Sequence, residues 1–249
     1  MDWLTPIFTG FAFFLAAMLY ASVGHAGASA YLAVMALIGV APESMKPAAL
    51  LLNLLVSVVA AGQFYRSGHF RWELLWPFLL TAVPAAYLGG ALQLSGDAYK
   101  LLTGVVLVYA GGRFLWQSLR PAGLVEQTER PRLAVALIAG AAMGLLAGLT
   151  GTGGGIFLTP LLILMRWGTA REAAAVSPLF ILCNSAAGLL GLGFGQLSLP
   201  PGFPGWCAAV LAGGTVGAYL GSHKFGGRGL RLALAFVLFI AGAKMIFRV

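Results

Sequence analysis

The sequence predicts an all-α protein that crosses a lipid bilayer many times, and three observations carry that expectation. The chain is 60% hydrophobic and only 9% charged, whereas a soluble domain carries about 25% charged residues. Its mean hydropathy is +0.92. Apolar runs succeed one another from Leu4 to Arg248, separated by short polar breaks. A helix needs roughly 20 apolar residues to cross a hydrocarbon core ~30 Å thick, and it satisfies its own backbone polar groups where lipid cannot.

Ten hydrophobic segments are read along the chain: 4–22, 26–40, 47–65, 74–94, 101–119, 133–149, 155–167, 173–194, 203–221 and 230–248. Segments 26–40 and 155–167 are too short for a comfortable perpendicular crossing. Each comes after a glycine-containing break, Val23-Gly24-His25-Ala26-Gly27 in one case and Thr150-Gly151-Thr152-Gly153-Gly154-Gly155 in the other. Met1 and Asp2 precede the first run without a Lys or Arg, so no cleavable leader is expected.

The most polar inter-segment stretch, 120–132, divides the chain nearly in half. Shifting the first half by 127 residues brings Gly24 onto Gly151 and Gly27 onto Gly154, with Ala48 on Ala175, Leu55 on Leu182 and Gly68 on Gly195. The order of breaks and segment lengths repeats as well. These matches imply a duplication, with a first membrane repeat at 1–119, a cytoplasmic linker at 120–132 and a second membrane repeat at 133–249.

Five segments per half is an odd number, so the second repeat is expected to be inverted relative to the first. Charge supports this. With the linker inside, the cytoplasmic ends and loops hold Arg66, Arg71, Arg113, Arg120, Arg130, Arg132, Arg166, Arg171, Lys224, Arg228 and Arg231. The outer side holds Lys46, Lys100, Lys244 and Arg248, which completes the 15 Lys and Arg. This bias obeys the positive-inside rule and places both termini outside, in a multi-pass protein of a bacterial inner membrane. Inverted repeats with helices broken at glycine-rich segments are a transporter architecture.

The net charge of +8 does not point to nucleic acid, because the basic residues sit singly in loops rather than on one face. Cys183 and Cys207 lie in apolar segments and read as small core residues. No metal spacing, phosphate loop or nucleophile elbow occurs, so neither a cofactor nor an enzyme is expected.

The second break reads Gly148-Leu149-Thr150-Gly151-Thr152-Gly153-Gly154-Gly155, and after it come Thr159-Pro160-Leu161-Leu162 and Ala173-Ala174-Ala175-Val176-Ser177. This pattern resembles the sulfite exporter TauE/SafE family of membrane permeases. The resemblance covers nearly the whole chain. It implies movement of small anions, often sulfur oxyanions or organosulfonates. The first half departs from the pattern, with His25, Ala26 and Ala28 opposite Thr152, Gly153 and Gly155, Ala33 opposite Pro160 and Leu50 opposite Ser177.

A helix that starts at membrane depth presents free backbone N–H groups and a positive dipole end to an anion. The candidate substrate site is therefore built on the breaks, from Gly24, His25 and Gly27 in the first and Thr150, Gly151, Thr152, Gly153 and Gly154 in the second. Polar side chains at depth join it: Asn53 and Ser57 on segment 3, Ser177 and Asn184 on segment 8. Ser57 and Asn184 are repeat equivalents. Tight helix packing is the competing role for the glycines, and interhelical bonding for the polar residues. His25 is the one histidine at a break and the candidate for carrying a coupled proton. Arg113 and Lys244, also repeat equivalents, read as residues whose charges reach for the interface.

The function expected is a secondary transporter, an exporter, that takes a small anion such as sulfite or an organosulfonate through the bilayer by alternating access. A passive anion channel of the same fold and a membrane assembly module without transport are the alternatives.

Overall fold

The computed structural model describes residues 4–119, 128–193, 195, 197–223 and 228–247. Among the described residues there are ten α-helices: α1 (Leu4–Ala21), α2 (Ala28–Leu37), α3 (Pro42–Arg66), α4 (Trp76–Ala91), α5 (Gly96–Leu119), α6 (Leu133–Thr150), α7 (Gly155–Leu164), α8 (Ala170–Leu192), α9 (Phe203–His223) and α10 (Arg228–Phe247). One 3-10 turn, Trp72–Leu74, precedes α4. No strand occurs among the described residues. Of these helices α3, α6, α8 and α9 are long and apolar enough to cross a membrane by length and composition. The protein is an all-α polytopic membrane protein.

Local sequence explains where the helices start and stop. Pro42, which lacks the N–H that a first turn leaves unpaired anyway, sits at the start of α3. Thr169 and Glu172 form a reciprocal capping box at the start of α8. Gly151, with φ +84°, closes α6 in the left-handed conformation that glycine adopts without penalty. The segments at 26–40 and 155–167 become helices of 10 residues each, about 15 Å long at 1.5 Å per residue and so about half a bilayer core. Eight residues of α2 are buried, so protein rather than lipid surrounds this short piece.

Two glycine stripes set the closest packing. Gly140, Gly144 and Gly148 of α6 lie against the backbone of Phe78, Ala82 and Ala86 of α4. Gly213, Gly217 and Gly221 of α9 lie in the same way against Phe14, Met18 and Ser22 of α1. An added Cβ on any of the six would strike backbone, as expected where small residues let membrane helices approach. In both pairs the residue numbers advance together, so α4 runs parallel to α6 and α1 parallel to α9.

The ends of α4 and α9 show that these pairs point in opposite directions. The Arg71 guanidinium pairs with Glu172 at 3.1 Å just before α4 begins, and α4 finishes at the Lys46 ammonium. Ser198, just before α9, bonds Ser44 near Lys46 at 3.0 Å, and α9 finishes beside Arg171. One end of the bundle thus carries Lys46 and the other Arg171. Exchanging the halves (α1 with α6, α2 with α7, and so on) maps the α1–α9 pair onto α6–α4, and α3–α9 onto α8–α4. The α3–α8 and α5–α10 pairs map onto themselves. This is the geometry of two inverted five-helix halves.

Most of the linker expected at 120–132 lies outside the described residues, as do Lys224 and both termini. Within 128–132, Glu129 donates its backbone N–H to Arg166 at 2.9 Å.

Candidate functional site

The two breaks descend from opposite ends and meet between the middles of α3 and α8. The second break can be traced residue by residue. Gly151 lies over Lys46 and Ala49, near the start of α3. Gly153 has moved down to Asn53 and Ser185, and Gly155 reaches Ile181 and His25. Its glycines at 151, 153 and 154 all have positive φ. On the first break Gly24 lies directly on the backbone of Ala174, near the start of α8. Ala174 is almost the repeat counterpart of Lys46, so the two breaks enter at matching places from opposite ends.

His25 joins them. Its Nε2 lies 3.2 Å from the carbonyl of Gly155 and its Nδ1 3.1 Å from the carbonyl of Val23. A neutral imidazole has one N–H to give, so only the doubly protonated ring donates to both oxygens. Gly27, φ +106°, turns the chain into α2, with the Tyr31 ring close beneath it. The Tyr31 hydroxyl donates to the carbonyl of Ala26, and the Ser29 hydroxyl donates to that of Tyr20 at 2.7 Å. These two tyrosines hold the first break from below. The sequence gives no signal for them beyond their aromatic character.

Asn53 and Asn184 are fully buried. The amide nitrogen of Asn53 donates to Ser185 at 3.4 Å, a long bond. Its Oδ1 has no hydrogen-bond partner, and neither amide atom of Asn184 has one. Asn184 sits on the α8 face that also carries Ile181 and Ser185, the residues that touch Gly153. An added Cβ on Gly153 would meet the Asn53 amide nitrogen at 2.6 Å and the Ser185 hydroxyl at 3.1 Å. Glycine here lets the break come within reach of the amides.

The remaining predicted residues are spent differently. The Ser57 hydroxyl donates back to the carbonyl of Asn53. Ser177 bonds Thr159 of α7 at 2.7 Å and its own helix at Ala173, two turns before Asn184, so it ties α7 to α8. Thr150 donates to Leu146, its hydroxyl lies 3.0 Å from that of Thr152, and its carbonyl receives the Tyr99 hydroxyl at 3.1 Å.

A cavity stands at each end of the bundle. The one at the Lys46 end holds about 270 Å³ and is lined by Glu43, Lys46, Gln93, Tyr99 and Leu149 among others. Its floor is the Thr150 end of α6, where the second break starts. The cavity at the Arg171 end holds about 110 Å³ and includes His69, Arg171, Ala174 and Ser222. Its Ala174 is the residue under Gly24. Lys46, expected in a loop, belongs to α3. It is buried, and its ammonium donates to the carbonyls of Gly89, Gly90 and Leu92 at 2.8–3.1 Å, where α4 ends. A cation at a helix C-terminus compensates carbonyls that have no helical partner.

Comparison with known proteins agrees with this architecture. The sequence pattern of the family described as "Sulfite exporter TauE/SafE" matches residues 9–245. A Sinorhizobium fredii protein named "Probable membrane transporter protein y4hK" is 41% identical over 236 residues, covering 94% of this chain and 96% of its own. The Bacillus subtilis "Probable membrane transporter protein YjnA" is 22% identical over 240 residues, covering 90% and 92%. No solved structure matches the chain. With ten helices in two inverted halves and a family pattern that spans nearly its whole length, the chain belongs to the sulfite exporter TauE/SafE family and is a membrane transporter.

Proposed function

We propose that the protein is a secondary transporter, an exporter, for a small anion of the sulfite or organosulfonate class, working by alternating access. The anion is held where the second break meets the middles of α3 and α8. The observation that carries this reading is the wholly unpartnered, fully buried amide of Asn184, one residue before Ser185, which packs with the Asn53 amide against Gly153. Leaving a buried polar group unpaired costs about 1–3 kcal/mol, so such groups persist where a ligand uses them. Amide N–H groups and the backbone N–H groups at the start of α7 are donors, which suits an oxyanion. Thr150, Gly151, Thr152 and Gly154 shape the approach, and Gly24, His25 and Gly27 close the site from the other half.

The two end cavities support alternating access. Each stops on a break, and the halves are inverted, so a rocking of one half against the other exchanges which cavity reaches the centre. His25, between two carbonyls, serves as the coupling group that takes a proton when the anion is bound. We place the protein in the bacterial inner membrane with both termini outside and the 120–132 linker in the cytoplasm. An inside-negative potential then favours anion exit by about 2.3 kcal/mol per charge per 100 mV.

The test is flux into proteoliposomes of purified protein with labelled sulfite and methanesulfonate. Saturable uptake accelerated by the same anion on the opposite side is expected of a carrier. Flux without this counterflow would identify a channel instead, and no flux of any small anion would remove the transport reading.

A further inference from the structure

The sequence suggests that Arg113 sends its charge to the interface, as its repeat equivalent Lys244 does by donating to the Leu37 carbonyl at the exposed end of α2. The structure differs. Arg113 lies about 9 Å along the axis from the end of α5 at Leu119. Its Nε and Nη2 are buried and have no hydrogen-bond partner. No acidic side chain among the described residues pairs with it. The guanidinium lies over the Trp116 ring, 4.4 Å from its centroid, which holds its plane without using its N–H groups. Tyr109, one turn earlier on α5, stacks on Phe157 in the first turn of α7 at 5.2 Å. Phe114, the next residue on α5, packs its ring edge-on against Tyr20 at 5.1 Å, just before the first break. Arg113 thus lies on α5 among residues that touch both breaks, and an anion is the partner that suits both its charge and its free N–H groups.

Nε and Nη2 are the two atoms on one edge of a guanidinium whose N–H bonds run parallel, the edge that matches two oxygens of a carboxylate, sulfonate or phosphate. We propose that this edge of Arg113 binds the transported oxyanion through two parallel hydrogen bonds, as a station between the central site and the Arg171 end. This inference rests on the anion-transport reading. It adds a charged, bidentate contact, and so a preference for anions with two equivalent oxygens over spherical halides.

The experiment is calorimetric titration of the full-length protein, in lipid-free detergent and in phosphatidylglycerol nanodiscs, with methanesulfonate and with chloride. Methanesulfonate is expected to bind the wild type in both settings and chloride to bind more weakly. R113M should weaken methanesulfonate binding about 10-fold or more, and R113K, which keeps the charge but loses the fork, should restore only part of it. W116F supplies a readout that does not depend on recovering an Arg113 variant. Anion binding should change tryptophan fluorescence in the wild type, and W116F should lose that change while its affinity stays within about 3-fold. If the wild type binds no oxyanion, the transport reading itself fails. If it binds and R113M or R113K binds equally well, or the fluorescence change survives in W116F, Arg113 is not the contact. Binding in detergent that phosphatidylglycerol abolishes would assign the edge to a lipid phosphate and overturn the proposal.

Discussion

The imidazole of His25 lies 3.2 Å from the carbonyl of Gly155, so a side chain of the first half touches the first residue of the short helix of the second half. Motion of one half against the other must stretch or keep this contact. The residue that differs most between the two breaks is thus also the one placed to sense their separation.

That placement makes anion binding pH-dependent. Protonated His25 adds a positive charge near the anion and satisfies both carbonyls, so binding of a strong anion should tighten as pH falls and the imidazole takes up its proton. The sign is fixed because methanesulfonate keeps its charge over this range. His25→Gln should flatten the profile on its acid side while leaving binding through the backbone and amide donors. A profile unchanged in His25→Gln, measured by titration at each pH, would make the histidine a purely structural tie.

Asn184→Leu should separate function from stability. Removing a buried amide without partners relieves about 1–3 kcal/mol of desolvation cost, so the variant should unfold at an equal or higher temperature than the wild type in detergent. Its anion flux in proteoliposomes should fall about 10-fold or more if the amide holds the anion. Loss of stability together with loss of flux would mark Asn184 as a packing residue.

Gly153→Val should abolish flux. The backbone there has φ +72°, and an added Cβ meets the Asn53 amide nitrogen at 2.6 Å. Gly112→Ala is the control, because nothing lies within 4 Å of a Cβ at this helical position. It should transport normally and gain about 0.5–1 kcal/mol from the lower chain entropy of alanine. Normal flux in Gly153→Val, with the protein recovered from the membrane, would take the second break off the anion path.

Topology can be read with reporter fusions. A reporter active only in the cytoplasm should work after residue 125 and fail after Val249. Activity at both positions would mean an even number of crossings between them and would contradict the five-helix second half.

The amino-acid sequence by itself determined the solvent, the number of helices and the inversion. Each of these depends on the local count of apolar residues, on glycine spacing and on where lysine and arginine fall, and all ten segments lie within a few residues of the observed helices. The sequence also determined that two segments are too short to cross, because length alone limits a helix. Only the tertiary structure decided which polar residues are spent and which are free. Ser177 and Asn184 look alike along the chain, yet Ser177 bonds Thr159 while Asn184 has no partner. That difference depends on which helix crosses which face, a relation between residues far apart in sequence. Lys46 and Arg113 show the same limit. Position near a segment end suggests that both charges reach outward, but Lys46 turns inward to three carbonyls where α4 ends and Arg113 keeps a covered, unpartnered edge. A long, flexible side chain has several staggered paths from the same Cα, and only the packed neighbours select one of them.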